Sequence, residues 1–79
     1  MKLKWEPLTD CDDEETGEHT CWAAKTDNPK YEPYVWITKT TDDYFNTIYK
    51  VEMYDNDFIP LCVCKSLVSA KRWAAMNCT

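Results

Sequence analysis

The chain has 79 residues, 44% of them hydrophobic, with four Trp, five Tyr and a formal net charge of −5. A chain of this length buries only about 60–65% of the surface that its unfolded form exposes, which leaves room for one small core and no separate substrate domain. The aromatic content excludes a disordered chain, and a single glycine, Gly17, excludes both the P-loop and the dinucleotide-binding fingerprint.

The negative charge is concentrated in the first third of the chain. Residues 1–24 contain two Lys and seven acids, whereas residues 25–79 contain seven basic and seven acidic residues. Six of the acids lie in residues 10–18, which we predict to be an exposed loop because burying that many carboxylates in a small core is too costly. Such an asymmetry concerns partners and solubility rather than the fold.

The sequence also carries information about the compartment. Residues 1–6 lack the apolar run of a secretory signal, and no stretch approaches the roughly 20 apolar residues that span a bilayer. The five cysteines are an odd number, which favours free thiols over a disulfide framework. We therefore expect a cytoplasmic protein without membrane contact.

Runs of aromatic and β-branched residues, separated by turn residues, predict an antiparallel meander. Pro7 and Pro60 lack the backbone N–H that a ladder needs, so we expect Pro7 at an edge or a strand end and the fifth strand at an edge or with a bulge. The predicted strands are residues 2–8, 19–26, 34–38, 44–54 and 58–64.

Ser66 is a good N-cap for a single helix, which we predict over residues 66–77. Leu67, Ala70 and Ala74 fall on one face of this helix, with Trp73 beside them. The predicted fold class is therefore α+β. One domain, residues 1–79, contains an antiparallel meander of four to five strands with one C-terminal helix packed on one face.

Strand alternation divides the large side chains between the two faces of the sheet. The face beneath the helix is expected to contain Val35, Ile37, Tyr49, Val51, Met53, Ile59, Leu61 and Val63. The other face is expected to contain Trp22, Tyr34, Trp36 and Ile48. One helix cannot cover both faces, so we expect the second face to be covered by the N-terminal segment or to meet a partner.

Cys62 and Cys64 point to the same side of the predicted fifth strand and would suit two thiolate ligands. Zinc sites usually pair cysteines at a wider spacing and need two further ligands. The residues available as further ligands are Cys11, Cys21, Cys78 and His19. We favour two small buried hydrophobic side chains and predict no metal site.

No catalytic constellation is evident, and we predict that the protein is not an enzyme and needs no cofactor. His19 and Cys21 lie on one side of the predicted second strand, but nothing marks the orienting group and oxyanion site that a Cys–His nucleophile needs. The acidic stretch fails as an EF-hand, because positions six and twelve counted from Asp10 are Glu15 and Cys21 rather than Gly and Glu.

Residues 66–74 read Ser-Leu-Val-Ser-Ala-Lys-Arg-Trp-Ala. This segment resembles the helix that often follows a short β-meander in small phage and prophage proteins, and the resemblance covers the last third of the chain. Some acidic proteins of that group are similar in size to anti-restriction and anti-CRISPR inhibitors, which block host nucleases by occupying nucleic-acid sites. The resemblance implies a bacterial host and transfers no functional residue.

Our leading hypothesis is a non-enzymatic inhibitor or regulator, encoded by a phage or mobile element, that binds a host protein such as a defence nuclease. Its acidic surface would occupy a basic, nucleic-acid-binding site, because closely spaced carboxylates present a field that such a site attracts. The predicted partner-binding residues are Asp12, Asp13, Glu14, Glu15, Glu18, Asp42, Asp43, Asp55 and Asp57.

Two alternatives use the aromatic face instead. A structural or assembly protein would form a homodimer through Trp22, Tyr34 and Trp36, since aromatic residues are enriched in interface cores. A single-stranded nucleic-acid binder would stack bases on the same residues, but that function favours a basic surround and this chain is acidic. We therefore expect a monomer or homodimer that does not bind nucleic acid directly.

Overall fold

The computed structural model describes residues 3–8, 16–31 and 33–78. They form a five-stranded antiparallel sheet, in which neighbouring strands follow chain order, and a C-terminal helix. The elements are β1 (Trp5–Pro7), β2 (Cys21–Lys25), β3 (Tyr34–Thr41), β4 (Thr47–Tyr54), β5 (Phe58–Cys64) and α1 (Leu67–Asn77). The architecture confirms the predicted α+β meander with one helix packed against the sheet.

The helix α1 lies against β3, β4 and β5 and begins where the sequence predicts. Ser66 is its N-cap, and the Ser66 Oγ accepts a hydrogen bond from the backbone N–H of Ser69 at 3.1 Å. At the other end, the hydroxyl of Thr26 donates to the carbonyl oxygen of Cys78, and both residues are buried. This contact fastens the end of α1 to the loop between β2 and β3. No helix in the described ranges is long and apolar enough to cross a membrane.

The core lies between α1 and the face of the sheet that α1 covers, which we call the helix-covered face. The register places Ala24 opposite Val35, and Ile37 opposite Val51. The fully buried core residues are Ala24, Val35, Ile37, Val51, Ala70, Ala74 and Cys78. The core is therefore one-sided. The opposite face carries no helix in the part of the chain that is described, and we call it the helix-free face.

A bulge in β5 decides which of its side chains reach the core. Val51 pairs with Cys62, but Glu52 pairs with Pro60, so Leu61 is an extra residue in the ladder. An extra residue reverses the alternation of the side chains that follow it. The predicted position of Val63 under the helix is therefore wrong: Val63 pairs with Lys50 on the helix-free face and is 54% exposed.

Trp22 also lies on the other face from the one predicted. It pairs with Ile37 and packs against the core, with its ring centroid 6.2 Å from that of Tyr49. Tyr34 and Trp36 pair instead with Lys25 and Ala23. The correction follows from the register between β2 and β3, which strand alternation within β2 alone cannot define.

The strand β4 begins at Thr47, three residues later than predicted, because residues 42–46 form a turn. The Asp42 Oδ1 accepts hydrogen bonds from the backbone N–H groups of Tyr44 at 2.8 Å and Asn46 at 2.9 Å. Phe45 has a φ of 64°, in the left-handed region. These contacts favour a turn over the extended conformation that the aromatic residues at 44 and 45 predict.

Candidate protein-binding surface

Four aromatic rings form a continuous cluster on the helix-free face. Tyr34 and Trp36 come from β3, and Tyr54 and Phe58 are directly opposite each other at the ends of β4 and β5. The Trp36 ring centroid is 6.0 Å from that of Tyr34, 6.3 Å from that of Tyr54 and 5.3 Å from that of Phe58. We call these four residues the aromatic cluster.

The geometry of the aromatic cluster makes it a pre-formed surface. The rings of Trp36 and Phe58 meet edge to face at 84°, and those of Tyr54 and Phe58 at 67° with centroids 5.2 Å apart. Such pairs contribute about 0.5–1.5 kcal/mol beyond the area they bury. Tyr34, Tyr54 and Phe58 nevertheless remain between 43% and 53% exposed. The cluster thus holds its own shape while leaving about half of the surface of these three residues in contact with water.

A groove of about 580 Å³ runs beside the aromatic cluster toward the β1 edge. Tyr34 and Trp36 line one part of it, and Lys4, Glu6 and Lys25 supply charged groups. Its remaining lining residues are Pro7, Leu8 and Ala23. The groove extends the apolar surface of the cluster and gives it a partly charged border.

Two of the predicted acidic residues border the cluster on its other side. Asp55 and Asp57 are exposed in the turn between Tyr54 and Phe58. The Asp55 backbone N–H donates to the Asp57 carbonyl at 3.0 Å, and the Asp57 Oδ1 accepts from the Phe58 N–H at 2.8 Å. Asn56 takes the left-handed conformation, with a φ of 63°. The turn therefore places Asp55 and Asp57 next to two residues of the cluster, and a hydrogen bond holds the Asp57 carboxylate.

The other predicted acids lie elsewhere. Asp42 and Asp43 lie in the turn at the opposite end of β4, and the Asn46 backbone N–H lowers the pKa of Asp42. Glu18 is exposed and forms an ion pair with Lys39, with 3.4 Å between Oε2 and Nζ. The remaining four predicted residues are Asp12, Asp13, Glu14 and Glu15, which lie outside the described residues. The two acidic turns thus lie at opposite ends of β4, and the Asp42 carboxylate accepts hydrogen bonds within its own turn.

Sequence reasoning missed two of the four cluster residues. Tyr54 and Phe58 flank the predicted tight turn at residues 55–57, and a hairpin places such flanking residues opposite each other. That signal was present in the sequence. The sequence predicts a strand at Tyr44 and Phe45, whereas they are 84% and 88% exposed at the tip of the β3–β4 turn. Their signal was Asp42, since Asp side chains favour local turn hydrogen bonds.

Cys11 lies outside the described residues, and the other residues considered for chemistry do not assemble a reactive centre. His19 is exposed and precedes β2, while Cys21 is half-buried within it. The described residues contain no group of three or more His, Cys, Asp or Glu placed to hold a metal. Burial raises the pKa of the Cys78 thiol, and burial with a hydrogen bond to Cys62 raises that of Cys64. A raised pKa keeps a thiol protonated and weakens it as a nucleophile.

Comparison with known proteins adds no family to this description. No protein-family model matches the chain, and neither a curated protein nor a solved structure gives a match. The fold and the surface define a small α+β domain with an aromatic cluster exposed on one sheet face. Its function is therefore argued from that surface.

Proposed function

We propose that this protein is a non-catalytic inhibitor or regulator that binds a partner protein through its helix-free face. The observation that carries the proposal is the aromatic cluster. Tyr and Trp are enriched among the residues that dominate binding energy, and Tyr, Trp and Phe are enriched in interface cores. Because the four rings already contact one another, covering the cluster costs less side-chain entropy than ordering four separate side chains.

The edges of the sheet favour recognition through the face rather than through an added strand. β1 has only three residues and ends at Pro7, and β5 contains both Pro60 and the bulge at Leu61. Short strands, proline and bulges all weaken an edge as a template for another strand. Within the described part of the chain, these features favour the helix-free face as the surface that a partner contacts.

The charge favours a partner with a basic surface. The chain carries a net charge of −5, and Asp55 and Asp57 border the aromatic cluster. Complementary charge accelerates association and disfavours wrong partners, whereas a nucleic-acid backbone would be repelled by an acidic protein. The resemblance of α1 to phage-protein helices favours a host defence nuclease, whose nucleic-acid-binding groove is basic, as the partner.

Inhibition of DNA cleavage tests this proposal. A panel of bacterial restriction and RNA-guided nucleases is assayed with wild-type protein, with the Tyr54→Ala/Phe58→Ala variant, and with the control Val68→Ala/Met76→Ala. The control removes exposed apolar groups from α1 instead. We expect inhibition of at least one nuclease, a rise of at least tenfold in the inhibitory concentration for the cluster variant, and no change for the control.

Two results would contradict the proposal. One is the absence of inhibition across the panel, and the other is inhibition that the cluster variant retains in full. Circular dichroism confirms that each variant is folded before it is compared. Raising the ionic strength should also weaken inhibition, because exposed charges are screened within about 10 Å at 0.1 M salt.

A homodimer through the same face is a second candidate, favoured by the distribution of charge around the cluster. Lys4 and Lys25 outnumber Glu6 on the β1 side, and Asp55 and Asp57 lie toward the β5 side. A two-fold axis parallel to the strands would place the basic side of one copy against the acidic side of the other. Sedimentation that shows a 9.3 kDa species at all concentrations excludes this candidate.

A further inference from the structure

Two neighbouring aromatic residues in the β3–β4 turn are almost entirely exposed. Tyr44 is 84% and Phe45 is 88% exposed, and we call these two residues the aromatic tip. Apolar residues scattered singly over a surface are normal, but two adjacent rings at the end of a hairpin form a convex apolar patch. Neither residue belongs to the core or packs against it. Packing within the fold therefore does not account for the two rings.

The backbone of the tip has a conformation that a bulky residue rarely adopts. Phe45 has a φ of 64°, in the region where glycine, asparagine or aspartate is usual. The β4–β5 turn shows that usual solution, because its left-handed residue is Asn56, with a φ of 63°. Strained positions of this kind concentrate at binding sites. The ring at position 45 is therefore better explained by a contact outside the fold.

Hydrogen bonds hold the backbone of the tip before any such contact. The Asp42 Oδ1 accepts from the backbone N–H groups of Tyr44 at 2.8 Å and Asn46 at 2.9 Å. The Phe45 N–H donates to the Asp42 carbonyl oxygen at 3.1 Å. Because these bonds lie on both sides of the two rings, the tip loses less conformational entropy on binding than a flexible loop would.

The charge around the tip indicates the chemistry of the surface that it contacts. Asp42 and Asp43 immediately precede the two rings, and residues 40–49 contain no Lys or Arg. Carboxylates beside the rings are repelled by an anionic membrane and by a nucleic-acid backbone. They favour a protein surface that carries basic groups.

We propose that the aromatic tip inserts into an apolar pocket, rimmed by basic groups, on the same partner protein that the aromatic cluster contacts. This inference rests on the proposed function and adds a second contact to it. The tip and the rings of Tyr54 and Phe58 lie at opposite ends of β4, whose eight residues span about 23 Å. An interface of standard size covers about 800 Å² on each partner, a patch roughly 30 Å across, so one partner reaches both surfaces.

The variant Phe45→Gly tests the inference in the nuclease panel, because its stability and its inhibition should change in opposite directions. Glycine relieves the positive φ and removes the ring. We expect the midpoint of urea unfolding to rise while the inhibitory concentration rises at least fivefold. A loss of inhibition in a more stable protein cannot come from misfolding. The control Val68→Ala/Met76→Ala, which removes exposed apolar groups from α1, should inhibit as the wild type does.

A second variant separates the tip from the aromatic cluster. Tyr44→Ser, shown to be folded by circular dichroism, should also raise the inhibitory concentration at least fivefold. When Phe45→Gly is combined with Tyr54→Ala/Phe58→Ala, the two fold-changes should multiply, because sites more than about 10 Å apart that share no contacts contribute independently.

Three results would overturn the inference. Full inhibition by Phe45→Gly and Tyr44→Ser, with inhibition by the cluster variant impaired, refutes the second contact and leaves the proposed function standing. Absence of inhibition by the wild-type protein refutes both. Co-sedimentation of the wild type with vesicles of phosphatidylcholine and phosphatidylglycerol, lost in Phe45→Gly, assigns the tip to a membrane surface instead of a protein pocket.

Discussion

Phe45 has a backbone φ of 64° although its side chain is 88% exposed. A residue with a Cβ atom in the left-handed region costs about 1–2 kcal/mol, and an exposed ring recovers little of that cost by burial. The turn is held by its hydrogen bonds, in which the Phe45 N–H donates to the Asp42 carbonyl at 3.1 Å and the Asp42 N–H donates to the Asn46 carbonyl at 3.0 Å.

Replacing Phe45 with glycine should therefore stabilise the protein. We expect Phe45→Gly to raise the free energy of unfolding by about 0.5–1 kcal/mol, because the relief of strain exceeds the added freedom of the unfolded chain. Urea unfolding followed by tryptophan fluorescence measures the change. The control Tyr44→Gly, at a position without positive φ, should lower stability. Equal losses in both variants would refute the strain argument.

The lowered pKa of Asp42 predicts that the stability of the protein depends on pH. The Asn46 backbone N–H lowers the pKa of its carboxyl from an ordinary value of about 3.8. A group whose pKa is lower in the folded state contributes stability above its unfolded pKa and loses that stability as the pH falls through the folded pKa. Asp42→Asn should thus be less stable than wild type at neutral pH, and the difference should disappear as the pH falls below about 3.8.

Thermal unfolding over a series of pH values measures this effect. Asp43→Asn removes the same charge from the same turn and controls for general electrostatics. A difference between wild type and Asp42→Asn that is independent of pH would show that the carboxylate charge is not what stabilises the turn.

At the scale of elements, the β5 bulge has the largest consequence. The approximate positions of the strands, the N-cap of α1 and the edge position of β5 follow from local sequence, through β-propensity, Ser66 and Pro60. Local sequence does not predict on which sheet face the side chains after Leu61 lie, because one extra residue exchanges the two sides of a strand. This is why Cys62 and Cys64 lie on the helix-covered face and Val63 does not.

The bulge predicts that Val63 tolerates a polar substitution. We expect Val63→Thr to change the free energy of unfolding by less than about 0.5 kcal/mol, as is usual for exposed positions. The smaller change Ile37→Val, in the core, should cost about 0.5–1.5 kcal/mol. Chemical denaturation of the two variants compares them. A larger loss from Val63→Thr would mean that β5 has no bulge and that Val63 packs beneath α1.

At the scale of the whole molecule, the two sheet faces differ in what they contain. The helix-covered face contains the core and, at its edge, Cys62 and Cys64. The helix-free face contains the aromatic cluster between the groove on one side and Asp55 and Asp57 on the other. Cys62→Ser, on the helix-covered face, should consequently leave nuclease inhibition unchanged.

Local chemistry in the sequence determined the antiparallel meander of four to five strands, the single helix and its N-cap, and the prolines that mark both edges. It also indicated Trp22, Tyr34 and Trp36 as an aromatic surface. Only the tertiary structure decided which residues share a face. Trp22 joined the core, and Tyr54 and Phe58 completed the aromatic cluster. The physical reason is that β-propensity acts within a single strand. The sheet face on which a side chain lies depends instead on the register between strands and on a single extra residue in one of them.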